Sequence, residues 1–212
     1  LATAASLHRI MSKRGVKGSY ALGGITGYIV DMMREGCFES IQDVQCFDQK
    51  AVESLRDDPN HIEITASDYA SPDAKSSAAS HLDVVVLGAT QIDTDFNVNV
   101  HTDSNGYIMG GSGGHSDVAE EAKLTVIVAP LSRSRLSIVV DHVDCVSTPG
   151  SSVDLLVTQA GIAVNPRRPE LAERLKAAHL RVVDIRALKE KSEKLNGTAK
   201  AAPHGERAVA LV

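Results

Sequence analysis

The stretch Leu82–Asp93, LDVVVLGATQID, decides the fold. Within it, Asp83–Leu87 holds a short β-branched apolar run without polar alternation, the pattern of a strand buried on both faces, and such strands belong to parallel sheets covered by helices. Working outward, strand-like segments recur at Gly18–Leu22, Ile41–Phe47, His61–Thr65, Leu124–Val128, Leu136–Val140 and Val153–Thr158. Helical segments fall between them at Gly24–Arg34, Gln49–Arg56, Asp73–Ser80 and Ser116–Ala122, the first with Ile25, Ile29 and Met32 on one stripe. Leu1–Arg14 reads as a further helix with Leu7, Ile10 and Met11 on one face; because it opens on Leu1 and not Met, the chain is expected to be cut from something longer. Beyond Val164, Pro169 suits the first turn of a helix carrying Leu171, Leu175 and Ala178, and Leu180–Val183 reads as a short strand. Asp184 then caps a last helix with Ile185, Leu188 and Leu195 inward, which Asn196-Gly197 stops. The alternation predicts an α/β fold, a mostly parallel open sheet with helices on both faces, in a single domain over residues 1–195 followed by a flexible tail over 196–212.

Hydrophobic residues make up 43% of the 212 and charged residues 23%, ordinary values for a chain that builds one core. No apolar run approaches the roughly 18 residues of a membrane span, so a soluble, cytoplasmic protein without a membrane partner is expected. The net charge is −5, from 22 basic and 27 acidic side chains, and aromatics are 3% with no Trp. Neither a phosphate-neutralising surface nor base-stacking platforms are evident, which argues against nucleic acid. Cys37, Cys46 and Cys145 are odd in number and show no CxxC or Cys/His spacing of a zinc site, so reduced thiols and no metal are expected.

The densest chemical signal is Gly110–Asp117, GGSGGHSD, between Tyr107–Met109 and a helix start. Four glycines in five positions allow positive φ and bring backbone N–H groups close to a ligand, and the helix N-terminus adds partial positive charge. The loop suits an anion or oxyanion, with a flexible turn as the plain alternative. It is neither GxxxxGK[ST] nor GxGxxG. Gly88-Ala89-Thr90-Gln91-Ile92-Asp93 follows the Asp83–Leu87 strand, expected at the centre of the sheet, and ligands of open α/β sheets sit outside such strand ends. Gln91 and Asp93 there either hydrogen-bond a polar ligand or form an Asx-type turn with a solvated Gln. Gly18–Gly27 runs a strand into the pair Gly23-Gly24, which suits phosphate or pantetheine contact, or simply close helix–strand packing. His142, in Asp141-His142-Val143-Asp144, reads as polar punctuation more than as a catalytic partner of His115, and a serine hydrolase lacks its GxSxG. Arg133, Arg135, Arg167 and Arg168 suit either a phosphate or a solvated face.

Taken in chain order, Tyr20–Gly36 (YALGGITGYIVDMMREG), Ile64–Pro72 (ITASDYASP), Leu82–Asp93, Gly110–Asp117, Thr148–Gly150 (TPG) and Val153–Arg168 (VDLLVTQAGIAVNPRR) resemble the second half of the coenzyme A transferase fold. Within that fold they resemble the carboxyl-terminal part of the citrate lyase alpha subunit family, over nearly the whole chain to about Arg186. The resemblance implies a citrate:acyl-carrier-protein transferase that exchanges the acetyl group of an acetyl-carrier thioester, or of acetyl-CoA, for citrate, giving citryl-thioester and acetate in citrate fermentation. It implies catalytic roles for Gly111, Ser112, Gly113, Gly114 and His115, and substrate or coenzyme A contacts from Gly23, Gly24, Ser67, Tyr69, Gly88, Ala89, Gln91, Asp93 and Asp117. No cofactor is expected to be bound tightly, because a phosphopantetheine-type group arrives on the acyl carrier (gamma) subunit. The lyase (beta) subunit and the amino-terminal half of the alpha subunit are the other implied partners, in an oligomer. Many coenzyme A transferases carry a nucleophilic Glu in a Ser-Glu-Asn-Gly segment at the first strand of this half, whereas this chain has Ala21-Leu22-Gly23-Gly24. The citrate lyase type that the chain resembles implies direct attack by a citrate carboxylate through a mixed anhydride, and the missing Glu agrees with it. The alternatives are a conventional acyl-CoA:carboxylate coenzyme A transferase half, with its Glu supplied from elsewhere, and a non-catalytic ligand-sensing domain of the same fold.

Overall fold

The computed structural model describes residues 2–74, 76–200 and 205. They fall into two compact units, Leu1–His81 and Leu82–Val212, in place of the expected single domain. The physical reason is that each unit closes parallel strands over an apolar cluster of its own.

The first unit runs α1 (Ala2–Arg14), β1 (Gly18–Ile25), α2 (Gly27–Arg34), β2 (Phe38–Cys46), α3 (Gln49–Asp57), β3 (His61–Glu63) and α4 (Ala66–Tyr69). Its strands pair in the order β1-β2-β3, all parallel. Ile25, Val30, Met33, Ile41 and Ala51 form the core between sheet and helices, and Met11, Met32 and Cys37 form a second cluster. Of the apolar face expected on α1, only Met11 is buried, while Leu7 and Ile10 are exposed. β1 continues past the expected strand end at Leu22, and its register to β2 slips between Gly23 and Gly24. A Cβ on Gly24 would lie 2.1 Å from the ring of the exposed Phe47, which a larger residue would have to push aside. The helix then waits until Gly27, whose N–H donates to the Asp48 carboxylate at 2.7 Å, and Asp48 also caps α3 by accepting from the Ala51 N–H. Among the described residues the expected Asp73–Ser80 helix is not formed. Here the Ser80 hydroxyl donates to the Ser77 carbonyl and the Ala78 N–H donates to the Asp68 carbonyl, both at 2.7 Å, giving a turn and a 3-10 turn at Ala79–His81.

The second unit runs β4 (Val85–Leu87), β5 (Gln91–Asp93), β6 (Val98–Asn99), α5 (His115–Glu121), β7 (Thr125–Val128), β8 (Ser132–Arg133), β9 (Leu136–Ser137), β10 (Val139–Val140), β11 (Leu155–Thr158), β12 (Gly161–Val164), α6 (Pro169–Ala177) and α7 (Ile185–Asn196). One sheet has the order β12-β11-β7-β4, in which β4, β7 and β11 are parallel and β12 is antiparallel. A second has the order β10-β5-β6, and β8 and β9 form a hairpin. The chain is therefore α/β with mostly parallel pairing, though distributed over several sheets instead of one. β4, expected at the centre, lies at the edge of its sheet. Strands β5, β6, β8 and β12 were not expected, and Leu180–Val183 reduces to one bridge, Val182 to Ile162. Ile92, Phe96, Val98, Ile127, Leu131 and Leu156 form the centre of the core, with Ile185 and Leu188 of α7 packed onto it. Leu195 is exposed, and the inward place one turn earlier belongs to Ser192, whose hydroxyl donates to the Leu131 carbonyl at 2.5 Å. Pro169 opens α6, Asp184 caps α7 through the Arg186 N–H, and Gly197 at φ +82 ends it, all as expected. Most of the tail expected to be flexible, residues 201–204 and 206–212, lies outside the described residues. Among the described residues no helix is long and apolar enough to cross a membrane.

Candidate functional site

In the second unit, Gly110–Gly114 leads directly into α5. Gly113 sits at φ +55, in the left-handed region, but Gly114 sits at φ −81, so only one of this adjacent pair uses a glycine-only conformation. A Cβ on Gly110, Gly111 or Gly113 would meet no atom within 4 Å. These glycines thus leave room beside the backbone and fill no packing gap. Among the described residues the N–H groups of Gly111, Ser112, Gly113 and Gly114 donate to no protein acceptor, while the His115 N–H closes a turn onto the Ser112 carbonyl at 3.2 Å. Four consecutive backbone donors are thereby left without a protein acceptor among the described residues, which is what an incoming anion requires.

His115 fixes this loop. Its Nε2 lies 3.0 Å from the Gly88 carbonyl oxygen and its Nδ1 lies 2.6 Å from the Thr148 hydroxyl. A carbonyl can only accept, so Nε2 carries a hydrogen, and in the neutral ring, which burial favours, Nδ1 accepts from the Thr148 hydroxyl. Burial holds its pKa below the usual histidine value; the Gly88 carbonyl bond opposes that shift, and the charge of His101 adds to it. One imidazole therefore ties together the glycine loop, the end of β4 and the Thr148–Gly150 turn.

That turn is held from below. Thr148 is wholly buried, exchanging backbone hydrogen bonds with Val98. Gly150 donates its N–H to the Asn97 side chain and accepts from the Asn165 side chain, both at 2.9 Å. A Cβ on Gly150 would lie 2.0 Å from the Asp95 carbonyl oxygen, so no other residue fits there.

The other expected contacts take less exposed roles. Asp93 is buried and accepts from the N–H groups of Asp95 and Asn97, from the Asn97 amide and from the Val143 N–H, so it organises an Asx-type turn. Gln91 is buried and accepts from Asn99 at 3.4 Å, so it is not the solvated Gln of that reading. Ala89 is buried, Gly88 is exposed, and Asp117 is exposed and accepts from the Ser116 hydroxyl. Ser112 points no further than the Gly113 carbonyl, at 3.5 Å. Asp141 pairs with Lys189 and His142 is exposed, in keeping with polar punctuation. Arg168 is committed to Asp154 and Glu170, each at 2.6 Å. Arg133 and Arg135 belong to the β8–β9 turn, where Ser134 and Arg135 take φ of 50 and 64. Gly23, Gly24, Ser67 and Tyr69 lie in the first unit, where Gly23 has φ +117 and a Cβ on it would sit 3.9 Å from Tyr69.

Two features escaped the sequence. The anchors Thr148, Asn97 and Asn165 carry no motif chemistry of their own and acquire a role only by burial. In the first unit Asp43, Cys46 and His61 converge across β2 and β3 although no local spacing announces them. Burial, and then the Asp43 carboxylate beside it, push the Cys46 thiol up to about 12.

The family model for the citrate lyase alpha subunit matches residues 1–212. The chain is 49% identical to the citrate lyase alpha chain of Escherichia coli (strain K12) over 212 residues, covering 100% of this chain and 42% of that one. A citrate lyase alpha subunit from Streptococcus mutans, solved in complex with citrate, superposes with a TM-score of 0.91 at 45% identity, over 96% of this chain and 40% of that one. The malonate decarboxylase alpha subunit of Acinetobacter baumannii, with a TM-score of 0.61 at 14% identity over 93% of this chain and 50% of its own, shares the fold. The chain thus spans less than half the length of these citrate lyase relatives. Since the match runs through every stretch that meets at His115 and continues to both ends of the chain, the chain belongs to the citrate lyase alpha subunit family.

Proposed function

We propose that this chain provides part of the site at which a cytoplasmic citrate:acyl-carrier-protein transferase, the alpha component of citrate lyase, exchanges acetyl for citrate on a carrier thioester. The observation that carries the reading is the glycine loop with its unengaged N–H groups, anchored through His115 to Gly88 and Thr148 in a member of this family. That the Streptococcus mutans relative was solved with citrate supports citrate as the acceptor here.

In the exchange a citrate carboxylate oxygen attacks the carbonyl carbon of the acetyl thioester, and the carbonyl electron pair moves onto oxygen. Collapse of this oxyanion expels the carrier thiolate and leaves an acetyl–citrate anhydride. The thiolate then attacks the citryl carbonyl of the anhydride, a second oxyanion forms, and acetate leaves. Each step raises negative charge on a former carbonyl oxygen, and N–H groups of Gly111–Gly114, which have no protein acceptor among the described residues, stabilise that charge more than they stabilise the neutral thioester. His115 is a positioning residue that holds the helix end of the loop. Ala21–Gly24 offers no carboxylate, so no glutamyl intermediate forms. No tightly bound cofactor takes part, and the phosphopantetheine-type arm is substrate, delivered by the acyl carrier. The remainder of the alpha subunit, the carrier and the lyase subunit are the partners, and the exposed Tyr107, Ile108 and Met109 give one of them apolar surface beside the loop.

The test joins the chain to the remainder of an alpha subunit, supplies acetyl-carrier and citrate, and measures citryl-thioester and acetate. Gly113→Val should lower turnover by about 10²–10³-fold while the circular dichroism spectrum and carrier binding persist. A folded variant with full turnover refutes the oxyanion reading. Borohydride reduction followed by mass spectrometry should leave Glu35, Glu39, Glu53 and Glu63 unmodified. Acetyl-CoA offered with a panel of carboxylates separates the conventional coenzyme A transferase, which would form other acyl-CoA products. A ligand-sensing domain would give no exchange at all.

A further inference from the structure

We propose that Asp43, Cys46 and His61 form a binding site for a divalent transition-metal ion of the zinc class. β2 supplies Asp43 and, at its last position, Cys46, while β3 supplies His61. The parallel register sets Ile41 opposite His61 and Asp43 opposite Glu63, which brings the imidazole over the carboxylate. Asp43 Oδ2 lies 2.9 Å from Cys46 Sγ and 3.1 Å from His61 Nε2, and the three ligand atoms all lie within 4.8 Å of one another.

Tetrahedral zinc, with bonds of about 2.0 Å to O and N and about 2.3 Å to S, needs ligand edges of about 3.3 Å for O to N and about 3.5 Å for S to O. The cluster therefore has to open by about 0.2 and 0.6 Å along those edges, while the sulfur-to-imidazole edge, within 4.8 Å here, has to settle at about 3.5 Å. Asp43 and His61 are buried, and the carboxylate is now met by the S–H of Cys46 and the Nε2–H of His61. When the ion enters, the thiol proton leaves to solvent and the imidazole hydrogen moves from Nε2 to Nδ1. One carboxylate and one thiolate then balance the ion's two charges, and the buried site becomes neutral.

The supporting groups are in place. Ser54 Oγ, wholly buried, lies 3.0 Å from His61 Nδ1 and can accept the relocated hydrogen. The Gln45 N–H holds the other carboxylate oxygen at 2.6 Å, leaving Oδ2 for the ion. Cys46 is partly exposed, which gives the ion a way in and a solvent molecule the fourth position. A sulfur and an imidazole select zinc, cobalt and their neighbours over calcium or magnesium, which take oxygen.

The test titrates the full 212-residue chain, reduced and stripped with a chelator, first with Co2+ and then with Zn2+. One Co2+ per chain should produce a thiolate-to-metal charge-transfer absorption and the visible bands of a four-coordinate ion, and Zn2+ should bleach both. Cys46→Ser should lose the charge-transfer absorption, whereas Cys37→Ser and Cys145→Ser should keep it. Ser54→Ala, which retains all three ligands, should weaken binding by about 10–100-fold. Absence of the charge-transfer absorption in the unsubstituted chain, a measurement that needs no variant to fold, overturns the site. So does its persistence in Cys46→Ser.

Discussion

Replacing His115 by Ala removes both anchors of the glycine loop at once, and the two losses are unequal. The Gly88 carbonyl is exposed and takes water instead, so its share is the net worth of one hydrogen bond, about 0.5–1.5 kcal/mol. The Thr148 hydroxyl is wholly buried and loses its acceptor at 2.6 Å, and orphaning such a group costs about 1–3 kcal/mol. His115→Ala should therefore destabilise the chain by about 2–4 kcal/mol. Thr148→Val removes the hydroxyl that would be orphaned, so in that background His115→Ala should cost about 1–2 kcal/mol less. Urea unfolding of the four proteins, followed by circular dichroism at pH 7.5, closes the cycle. A coupling below about 0.5 kcal/mol would mean that the two side chains act independently, and the account of how the loop is held would fail.

Other expectations follow from the same geometry. His115 has a lowered pKa in the folded chain, so as pH falls below about 6.5 the unfolded chain takes the proton first. Its contribution is complete above that pH and is lost on acidification through the folded value, at up to about 1.4 kcal/mol per pH unit, so His115→Gln should flatten the fall in melting temperature between pH 7 and 5. Gly150→Ala drives a Cβ to 2.0 Å from a backbone oxygen that cannot swing aside, and should cost about 3 kcal/mol or more by urea midpoint. Gly111→Ala, in open space, should stay within about 0.5 kcal/mol, and equal losses at the two positions would show that the turn yields. The 212-residue chain on its own should give negligible turnover of acetyl-carrier with citrate, and enzyme-like rates would contradict the proposed shared site.

What could be read along the chain is what short-range physics sets. The β-branched runs became β4, β7 and β11, and Asp184, Pro169 and Gly197 bound their helices, because propensity, capping and left-handed backbone act within a few residues. Glycine density marked the Gly110–Gly114 loop for the same reason. Strands β5, β6 and β12 have two to four residues each and form because a partner strand is already present, so periodicity gives them no signal. The slip between Gly23 and Gly24, and the division into two units, likewise depend on pairing and on separate cores. At the site, the loop was legible but its anchoring was not: His115 meets Gly88 and Thr148 across 27 and 33 residues. Asp93 offered a ligand contact or a turn, and burial decided for the turn by surrounding its carboxylate with the chain's own N–H groups. Asp43, Cys46 and His61 meet only because two strands lie parallel in one register. Composition and local pattern therefore determined the elements and the family motifs, while burial and register, which depend on residues distant in sequence, decided which side chains face each other.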